Sequence, residues 1–569
     1  MNLAGWFEIS CVLAAVVALA WPLGAFMAVV FDGRWNFLTP VVAPLERALY
    51  WLAGVDPDEE QDWLAYTFSM LAFGFFCFLA LYAIQRCQAF LPFNPTSRPA
   101  VAPDLAFNTA ISFITNANWQ AYSGETTMSH FTQMAGLTTH NFLDSAAAMA
   151  MSIGLTRAFV RQEAETIGNF WVDMTRATLY VLLPLSIIVA VLFLALGTPQ
   201  TLLGAIDVTT LEGGKQTISI GPVASQEAIK LLGNNGGGFF NANSAHPFEN
   251  PGALSNMLQN FSQLILPTAL VFAFGRMVGD IRQGLALFAA MAALFIASLF
   301  VLYSVEAAGN PSLTALGVDA SAGNLEGKDL RFGQSGAALF VAATTGTGTG
   351  AANPAIDSLM PLGGLVPMFN LLAGCIAPGG VGSGLYSILL LAVITVFIAG
   401  LMVGRTPEYL GKKIEAGEMR LAILALLVQP TLTLGFAAVA VNLPNALASL
   451  GNSGPHGLSE ILYAYASTAA DNGSTFGGLS ANTLWFNVTT GIALLLGRFA
   501  HIIPLLAMAG ALAQKKKAKT SAGTFPTHGP LFVCLLLVVM LIVTLLQFFP
   551  ALALGPLAEH FAAMSGKTF

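Results

Sequence analysis

The sequence predicts an all-α polytopic membrane protein, and three observations support that fold class. Apolar residues make up 55% of the 569 residues and charged residues only 9%, whereas about 25% is usual for charged residues in soluble domains. The mean hydropathy is +0.70. Apolar runs of the length that a transmembrane helix needs recur along the chain. This composition excludes a soluble enzyme, a disordered chain and a nucleic-acid-binding protein as descriptions of the whole molecule.

Ten apolar runs predict ten transmembrane helices. They cover residues 9–31, 63–84, 131–153, 177–196, 255–274, 285–305, 368–403, 421–443, 485–512 and 530–549. The seventh run is unusually long and is interrupted by glycine. The first run has no basic segment before it, so we interpret it as a membrane span and not as a cleaved signal peptide.

The positions of lysine and arginine predict the orientation of these spans. When the segment after the first span is placed in the cytoplasm, most of the 23 basic residues fall in cytoplasmic loops, as the positive-inside rule requires. This orientation puts both termini outside. A basic run before the last span is interpreted as a contact with lipid headgroups. It consists of Lys515, Lys516, Lys517 and Lys519.

Four segments on the outside share one order: a short apolar stretch, then small polar residues and glycine, then the next span. They cover residues 108–125, 225–251, 335–358 and 458–483. With their flanking spans they predict four pore repeats, between a leading helix with its loop and a trailing helix. The predicted repeats are 63–176, 177–284, 285–420 and 421–514, the leading part is 1–62 and the trailing part is 515–569.

This order has a physical interpretation. A half-length helix leaves unsatisfied carbonyl groups at its negative C-terminal end, and glycine lets the following backbone turn its carbonyls toward a common axis. Four such loops form a cage of oxygen atoms that replaces the hydration shell of a monovalent cation. Carbonyls without a ring of carboxylates suit potassium better than calcium or magnesium. A single loop of this kind is usually only a turn, and TGTGTG at 345–350 lacks the strand–helix unit of a dinucleotide site.

Longer motifs identify a family. The sequence contains TNANWQAYSGE at 115–125, NGGGFFNANSAHPFENP at 235–251, LGGLVPMFN at 362–370, GGVGSGLY at 379–386, GRTPEYLGKKI at 404–414 and NGSTFGGLSAN at 472–482. Over essentially the whole chain it resembles the potassium-binding A subunits of Kdp potassium-transporting ATPases. The resemblance implies ten helices with four pseudo-fourfold M1-P-M2 pore repeats, as in potassium channels. It also implies a tunnel inside the membrane that leads from the filter to the P-type ATPase subunit KdpB.

The resemblance places the K⁺ selectivity filter on all four loops. The implied residues are Thr115, Asn116, Ala117, Asn118 and Gln120 of the first loop, Asn234, Asn235 and Gly236 of the second, Gly348, Thr349 and Gly350 of the third, and Asp471, Asn472 and Gly473 of the fourth. The third loop departs from the family's Ser-Cys-Gly, and Asp471 replaces an Asn. Asp471 either raises cation affinity or caps a backbone turn. We favour the cap, because an unpaired carboxylate in a dry filter is costly.

A proline and four glycines must interrupt the seventh span. They are Pro378, Gly379, Gly380, Gly382 and Gly384. Close helix packing explains the glycines, but we favour a flexible gate beneath the filter, by analogy with the family's broken helix. Arg405 and Arg498 are candidates for blocking a direct path inward, with positive-inside anchoring as an equal alternative. His140 and Asp144 share a helix face, and we expect them to form a hydrogen-bonded pair.

The absent motifs limit the function. The chain has no G-x-x-x-x-G-K-[ST] loop and no Asp-Lys-Thr-Gly motif, so we expect no bound nucleotide and no catalysis by this chain alone. The resemblance implies the K⁺-binding and translocating subunit of an ATP-driven uptake complex in the bacterial inner membrane. KdpB, KdpC and KdpF are its implied partners, with lipid around it and no nucleic acid. A stand-alone Trk/Ktr-type channel or secondary transporter is the alternative, and an intramembrane enzyme is disfavoured.

Overall fold

The computed structural model describes residues 2–319, 321–518 and 525–567 and is mostly helical. Within these ranges, nine helices are long and apolar enough to cross a membrane. They cover Leu3–Phe31, Trp63–Phe90, Phe170–Ala195, Ala253–Met277, Ile281–Ala315, Ser383–Val403, Ala416–Ala440, Leu484–Gln514 and Pro530–Met564. The predicted all-α membrane fold is therefore confirmed. Lys519, which belongs to the predicted lipid-contacting run, lies outside the described residues.

The remaining predicted span, at 131–153, coincides with a helix that is less apolar. A π-helical turn at Thr132–Thr138 leads into the α-helix Thr139–Val160, whose 22 residues are enough to cross the hydrocarbon core. Asn141, Asp144 and Ser145 lie on this helix and are buried. Because the helix is surrounded by protein and not by lipid, it does not need an apolar surface.

Polar residues cap several of the long helices at their N-termini. The side chains of Asn2, Asp62 and Asp280 each accept a hydrogen bond from the first turn of the helix that follows. Such a cap satisfies one of the backbone N–H groups that have no partner within the helix, and it contributes about 1 kcal/mol. These caps favour the start of the three helices at Leu3, Trp63 and Ile281.

The other elements are short. The four half-length helices, here called pore helices 1 to 4, are Pro103–Ile114, Val223–Leu232, Gly333–Gly346 and Gly454–Ala469. Further helices are Thr39–Ala53, Gly124–Thr127, Pro311–Ala315, Pro361–Leu372 and Pro444–Leu447. Within the described residues, short strands form three antiparallel pairs. They are Gln61–Asp62 with Thr166–Gly168, Ala205–Thr209 with Lys215–Ser219, and Glu408–Tyr409 with Lys412–Lys413.

The four repeats pack as a closed ring. Pore helices 2 and 3 each contact the helix that ends the preceding repeat, and pore helix 1 contacts the helix that ends repeat 4. Pore helix 4 contacts the short helix that precedes the last span of repeat 3. The contacted helices are Leu484–Gln514, Thr139–Val160, Ala253–Met277 and Pro361–Leu372 for pore helices 1 to 4. At the closure, Asn108 Nδ2 donates to Asn487 O and Thr490 Oγ1, both at 2.8 Å. This arrangement brings the C-terminal ends of the four pore helices together.

Two predicted boundaries differ from the structure. The boundary at 176/177 falls inside the continuous helix Phe170–Ala195, because Asp173 and Arg176 interrupt the apolar pattern of its first turns. The predicted seventh span is two helices, Pro361–Leu372 and Ser383–Val403, separated by a buried non-helical segment at 373–382. The glycine-rich break that the sequence predicts is therefore confirmed.

Candidate cation-binding site

The four filter loops begin where the pore helices end, and each folds back over its own helix. The backbone N–H of Asn118, Asn235, Gly350 and Asn472 donates to the carbonyl of Ser112, Lys230, Thr344 and Ser467, respectively. Four non-glycine residues in these turns have a left-handed backbone conformation, with φ of 71° at Asn116, 52° at Asn118, 53° at Asn234 and 53° at Asp471. Asn and Asp tolerate this conformation better than other side chains, which explains the residue types found there.

Glycine is required where the four loops meet. A Cβ atom at Gly236 would overlap the carbonyl oxygen of Ala117 and would lie 3.3 Å from the carbonyl oxygens of both Thr349 and Asn472. In the same way, a Cβ at Gly473 would overlap Ala117 O, and a Cβ at Gly350 would overlap Asn472 O. Backbone oxygens of the first, third and fourth loops thus surround Gly236 of the second loop. The structure brings the predicted residues of all four loops to one place.

Asparagine side chains join neighbouring loops. Asn116 Nδ2 donates to Asn234 O at 2.9 Å, and Asn234 Nδ2 donates to Thr349 Oγ1 at 2.8 Å. Asn472 Nδ2 donates to Thr347 O at 2.9 Å. Each such bond contributes about 1 kcal/mol net, and together they fix the loops relative to one another, which a site built from backbone oxygens requires.

The other predicted filter residues are also part of this cluster. Thr115 is buried, and its hydroxyl donates to the end of pore helix 1. The amide of Asn118 donates to Asn141 Oδ1 at 3.0 Å, and that of Asn235 donates to Asn116 Oδ1 at 2.9 Å. Gly348 lies between Asp471 O and the Cα of Gly380. A Cβ atom at Gly348 would be 3.6 Å from the first and 3.7 Å from the second.

A cavity of about 490 Å³ opens above the meeting point of the loops. All four loops contribute to its wall, through Gln120, Gly237, Gly350 and Gly473. Gln120 also links two loops, because its Oε1 accepts from Gly238 N at 3.0 Å and its Nε2 donates to Gly238 O at 3.3 Å. The cavity therefore lies beside the place where backbone oxygens of the loops meet.

On the other side of the loops, Asp471 faces Arg498. The Oδ2–Nη1 distance is 3.9 Å, and Arg498 also donates to Tyr386 Oη at 3.0 Å. Only 3% of the Arg498 side chain is exposed. Within the described part of the chain, Asp471 Oδ1 has no hydrogen-bond partner, so the prediction that Asp471 caps a backbone turn is wrong. The buried guanidinium, not a backbone N–H, attracts this carboxylate.

The glycine-rich break packs directly against the loops and against the helix Thr139–Val160 of the first repeat. The backbone N–H groups of Ala377 and Gly379 donate to Gly346 O at 3.0 and 3.1 Å. A Cβ at Gly382, whose φ is 80°, would overlap Ala148 O, and a Cβ at Gly380 would lie 3.2 Å from Gly348 N. Close packing therefore accounts for these glycines, as it does for Gly384, which contacts Gly379. The movement of this segment stays a prediction.

The two predicted blocking arginines are in different environments. Arg498 is buried beneath the filter loops, whereas Arg405 is exposed and lies just after Gly404, which ends the helix Ser383–Val403. The structure therefore brings Arg498, but not Arg405, to the interior of the site.

Sequence reasoning missed several contacts behind the loops. Ser145 Oγ donates to Asn116 Oδ1 at 3.0 Å, and Asp144 accepts from Asn235 Nδ2 at 3.3 Å. His140 does not bond to Asp144, because its ring nitrogens contact Gly136 O and Cys77 O, so the expected pair is wrong. A buried ion cluster around Lys230 was also missed. The signal that could have pointed to these groups is the presence of charged residues in a segment at membrane depth.

The sequence matches one protein family over almost the whole chain. Residues 10–561 match the family model described as KdpA, potassium-transporting ATPase A subunit. The chain is 58% identical over 569 residues to a protein of Allorhizobium ampelinum, and 53% identical to one of Granulibacter bethesdensis. Both are named potassium-transporting ATPase potassium-binding subunit, and each alignment covers 100% of both chains.

A solved structure shares the fold. The potassium transporter TrkH of Vibrio parahaemolyticus superimposes with a TM-score of 0.51, covering 86% of this chain and 97% of that one, at 14% sequence identity. At this identity the likeness shows the fold alone.

Proposed function

The chain belongs to the KdpA family of potassium-transporting ATPase A subunits, and on that premise we propose that it binds K⁺ from outside at its four filter loops and passes it to an ATP-hydrolysing partner subunit. One observation carries the proposal. A side chain at Gly236 would meet carbonyl oxygens of the other three loops, so backbone oxygens from three repeats enclose a small space beside a glycine of the second repeat.

The geometry supports selective binding of a dehydrated cation. K⁺ enters from the cavity above the loops and exchanges its water for the carbonyl oxygens that surround Gly236. The C-terminal ends of four pore helices point toward the loops, and the negative ends of their dipoles favour a positive charge there. The hydrogen bonds between neighbouring loops keep the oxygens from closing around a smaller ion.

Below the loops, Arg498 and the buried segment at 373–382 close the direct path inward. In the proposed mechanism the ion therefore leaves sideways, through a tunnel inside the membrane that ends at KdpB, and KdpC and KdpF complete the complex. Energy comes from ATP hydrolysed by KdpB. The complex lies in the bacterial inner membrane, with both termini of this chain outside, and the chain itself holds K⁺ but no nucleotide.

The test is K⁺-stimulated ATPase activity of the chain purified with its P-type partner. We expect Gly236→Asp to raise the K⁺ concentration needed for half-maximal stimulation by about tenfold or more, because the new side chain occupies the space among the carbonyls. Gly417→Asp is the matched control, since nothing lies within 4 Å of a Cβ at the exposed Gly417.

The outcomes separate the candidate functions. Unchanged K⁺ stimulation and ion preference in Gly236→Asp would show that the second loop is not a filter. No K⁺ stimulation of the wild type, together with passive K⁺ flux through this chain alone in liposomes, would favour a stand-alone channel or transporter of the Trk/Ktr type.

A further inference from the structure

A lysine is fully buried in pore helix 2, one turn before the second filter loop. Lys230 Nζ contacts Glu227 Oε2 at 2.7 Å, Glu249 Oε2 at 2.9 Å and Asn243 Oδ1 at 3.2 Å. All three charged side chains are at most 1% exposed. An ammonium group has three donors, and here each of them has an acceptor.

A buried cation beside a site proposed for K⁺ needs an explanation. Removing an ion from water costs several kcal/mol, and mutual attraction repays this only with good geometry and further hydrogen bonds. The cluster has both: Ser244 Oγ donates to Glu227 Oε1 at 3.3 Å, and Phe240 N donates to Glu249 Oε1 at 2.8 Å. Two carboxyl groups flank one ammonium, so the cluster carries no net positive charge and does not repel a cation.

The cluster is connected to the second filter loop at three points. The backbone carbonyl of Lys230 accepts from Asn235 N at 2.8 Å. Asn243, which contacts Lys230 through its Oδ1, donates through its Nδ2 to Gly237 O. The carboxylate of Glu249 accepts a hydrogen bond from the backbone N–H of Phe240. The segment from 235 to 240 is thus held at its beginning by the backbone of Lys230, and at its middle and end by two side chains that contact the Lys230 ammonium.

This segment has little space to move. A Cβ at Gly237 would lie 2.9 Å from Asn118 O, and a Cβ at Gly238 would lie 2.7 Å from Glu249 Oε1. Because the oxygens of a filter select an ion by their number and position, a small displacement of this loop changes which ion fits.

We propose that Lys230, with Glu249 and Asn243, is a positioning group that sets the place of the second filter loop and thereby the discrimination between K⁺ and other monovalent cations. The inference rests on the proposed function, since it assigns a role behind that same filter. Lys230 does not touch the ion and acts only through the loop. A purely structural ion cluster would support folding without affecting ion preference.

The chain provides a matched control in the third repeat. Lys328 Nζ contacts Glu306 Oε2 at 2.7 Å, and both side chains are 1% exposed. Glu306 accepts from Met360 N and Asn324 Nδ2, which are not filter residues. Lys328→Met therefore breaks an equally buried ion pair without releasing a filter loop.

The experiment measures ATPase stimulation by K⁺, Rb⁺ and Na⁺ for the chain purified with its partner subunit. The variants are Lys230→Met, Glu249→Ala, Glu249→Gln and Asn243→Ala, with Lys328→Met as the control. We expect Lys230→Met, Glu249→Ala and Asn243→Ala to raise the KM for K⁺ by about tenfold and to reduce the preference for K⁺ over Na⁺, with kcat at saturating K⁺ little changed. Glu249→Gln keeps an acceptor for Phe240 N but turns an NH2 group toward the Lys230 ammonium, so its KM should lie between those of the wild type and Glu249→Ala.

The results decide between the two roles. Equal KM values and ion preference in wild type, Asn243→Ala and Glu249→Ala would overturn the inference, as would a shift of the same size in Lys328→Met. Asn243 is only half-buried, so its variant keeps the test available if Lys230→Met fails to fold. A wild-type complex without K⁺ stimulation would contradict the proposed function itself.

Discussion

At the scale of single residues, Asp471 and Arg498 are opposite charges on the inner side of the filter loops. Asp471→Asn removes the carboxylate that lies 3.9 Å from the guanidinium, so the positive field of the buried arginine is less compensated at the ion site. We expect the KM for K⁺ to rise by about tenfold, measured as K⁺-stimulated ATPase activity of the complex.

The control for this change is Asp280→Asn, which alters a more exposed pair with Arg282 away from the site. An unchanged KM in a folded Asp471→Asn protein would mean that the carboxylate has no electrostatic effect on the bound ion.

Arg498 gives a second prediction at this scale. Its replacement by Gln removes a buried positive charge from the direct path below the filter, and a fixed positive charge is a barrier to cations. We expect Arg498→Gln to allow passive ⁸⁶Rb⁺ flux in liposomes that contain this chain with its partner, without ATP. Arg405→Gln, at an exposed position, should remain as tight as the wild type. Equal flux in both variants would contradict the assignment.

The residues that meet where the four loops converge could be predicted from motifs, but their supporting contacts could not. Asn116, Gly236, Thr349 and Asn472 are implied by the resemblance of the motifs to a family, and the structure brings them together. The contact of Asn116 with Ser145, and that of Lys230 with Glu249, join segments that are distant in sequence or separated by a loop. Asp471 was misjudged for the same reason, because its partner Arg498 lies on another helix.

At the scale of elements, an ion pair joins the end of the helix Thr139–Val160 to the start of the helix Phe170–Ala195. Arg157, near the end of the helix Thr139–Val160, makes two hydrogen bonds of 2.6 and 2.7 Å with Asp173 and one of 3.0 Å with Phe31 O. Asp173 is 1% exposed. Asp173→Asn leaves the arginine without its counter-charge, which typically costs about 3–5 kcal/mol.

We expect this loss to appear as a clearly lower midpoint of thermal unfolding in detergent. Asp32→Asn is the comparison, because the Arg34–Asp32 pair is 62% and 39% exposed and such surface pairs contribute at most about 1 kcal/mol. A similar midpoint for both variants would show that burial does not decide the strength of the Arg157–Asp173 pair.

The long helices could be predicted from apolar runs, whereas their irregular parts could not. The runs locate nine spans, since lipid contact requires apolar side chains. The start at Phe170 was missed because Asp173 and Arg176 form ion pairs with other segments. The π-helical turns at Thr132–Thr138 and Ala177–Leu182 depend on how neighbouring helices pack, and no local pattern announces them.

At the scale of the whole molecule, the proposed function requires that the cavity above the loops face the outside. The hairpin formed by Ala205–Thr209 and Lys215–Ser219 precedes pore helix 2 in the chain. It lies on the same side of the spans as the cavity above the loops. The segment at 161–169 is separated from them by one span, Phe170–Ala195. Positions 212 and 165 are exposed on these two segments and report opposite faces.

The last prediction uses these two positions. Single cysteines at Glu212 and Glu165 are introduced after the exposed Cys11, Cys87 and Cys534 are replaced by Ser. A membrane-impermeant maleimide applied to spheroplasts should label position 212 and leave position 165 unlabelled until the membrane is opened. Most basic residues flank the face that carries Glu165, and such residues stay in the cytoplasm. The reverse labelling would turn the filter entrance toward the cytoplasm, and a chain with that orientation could not take up K⁺ from outside by the proposed route.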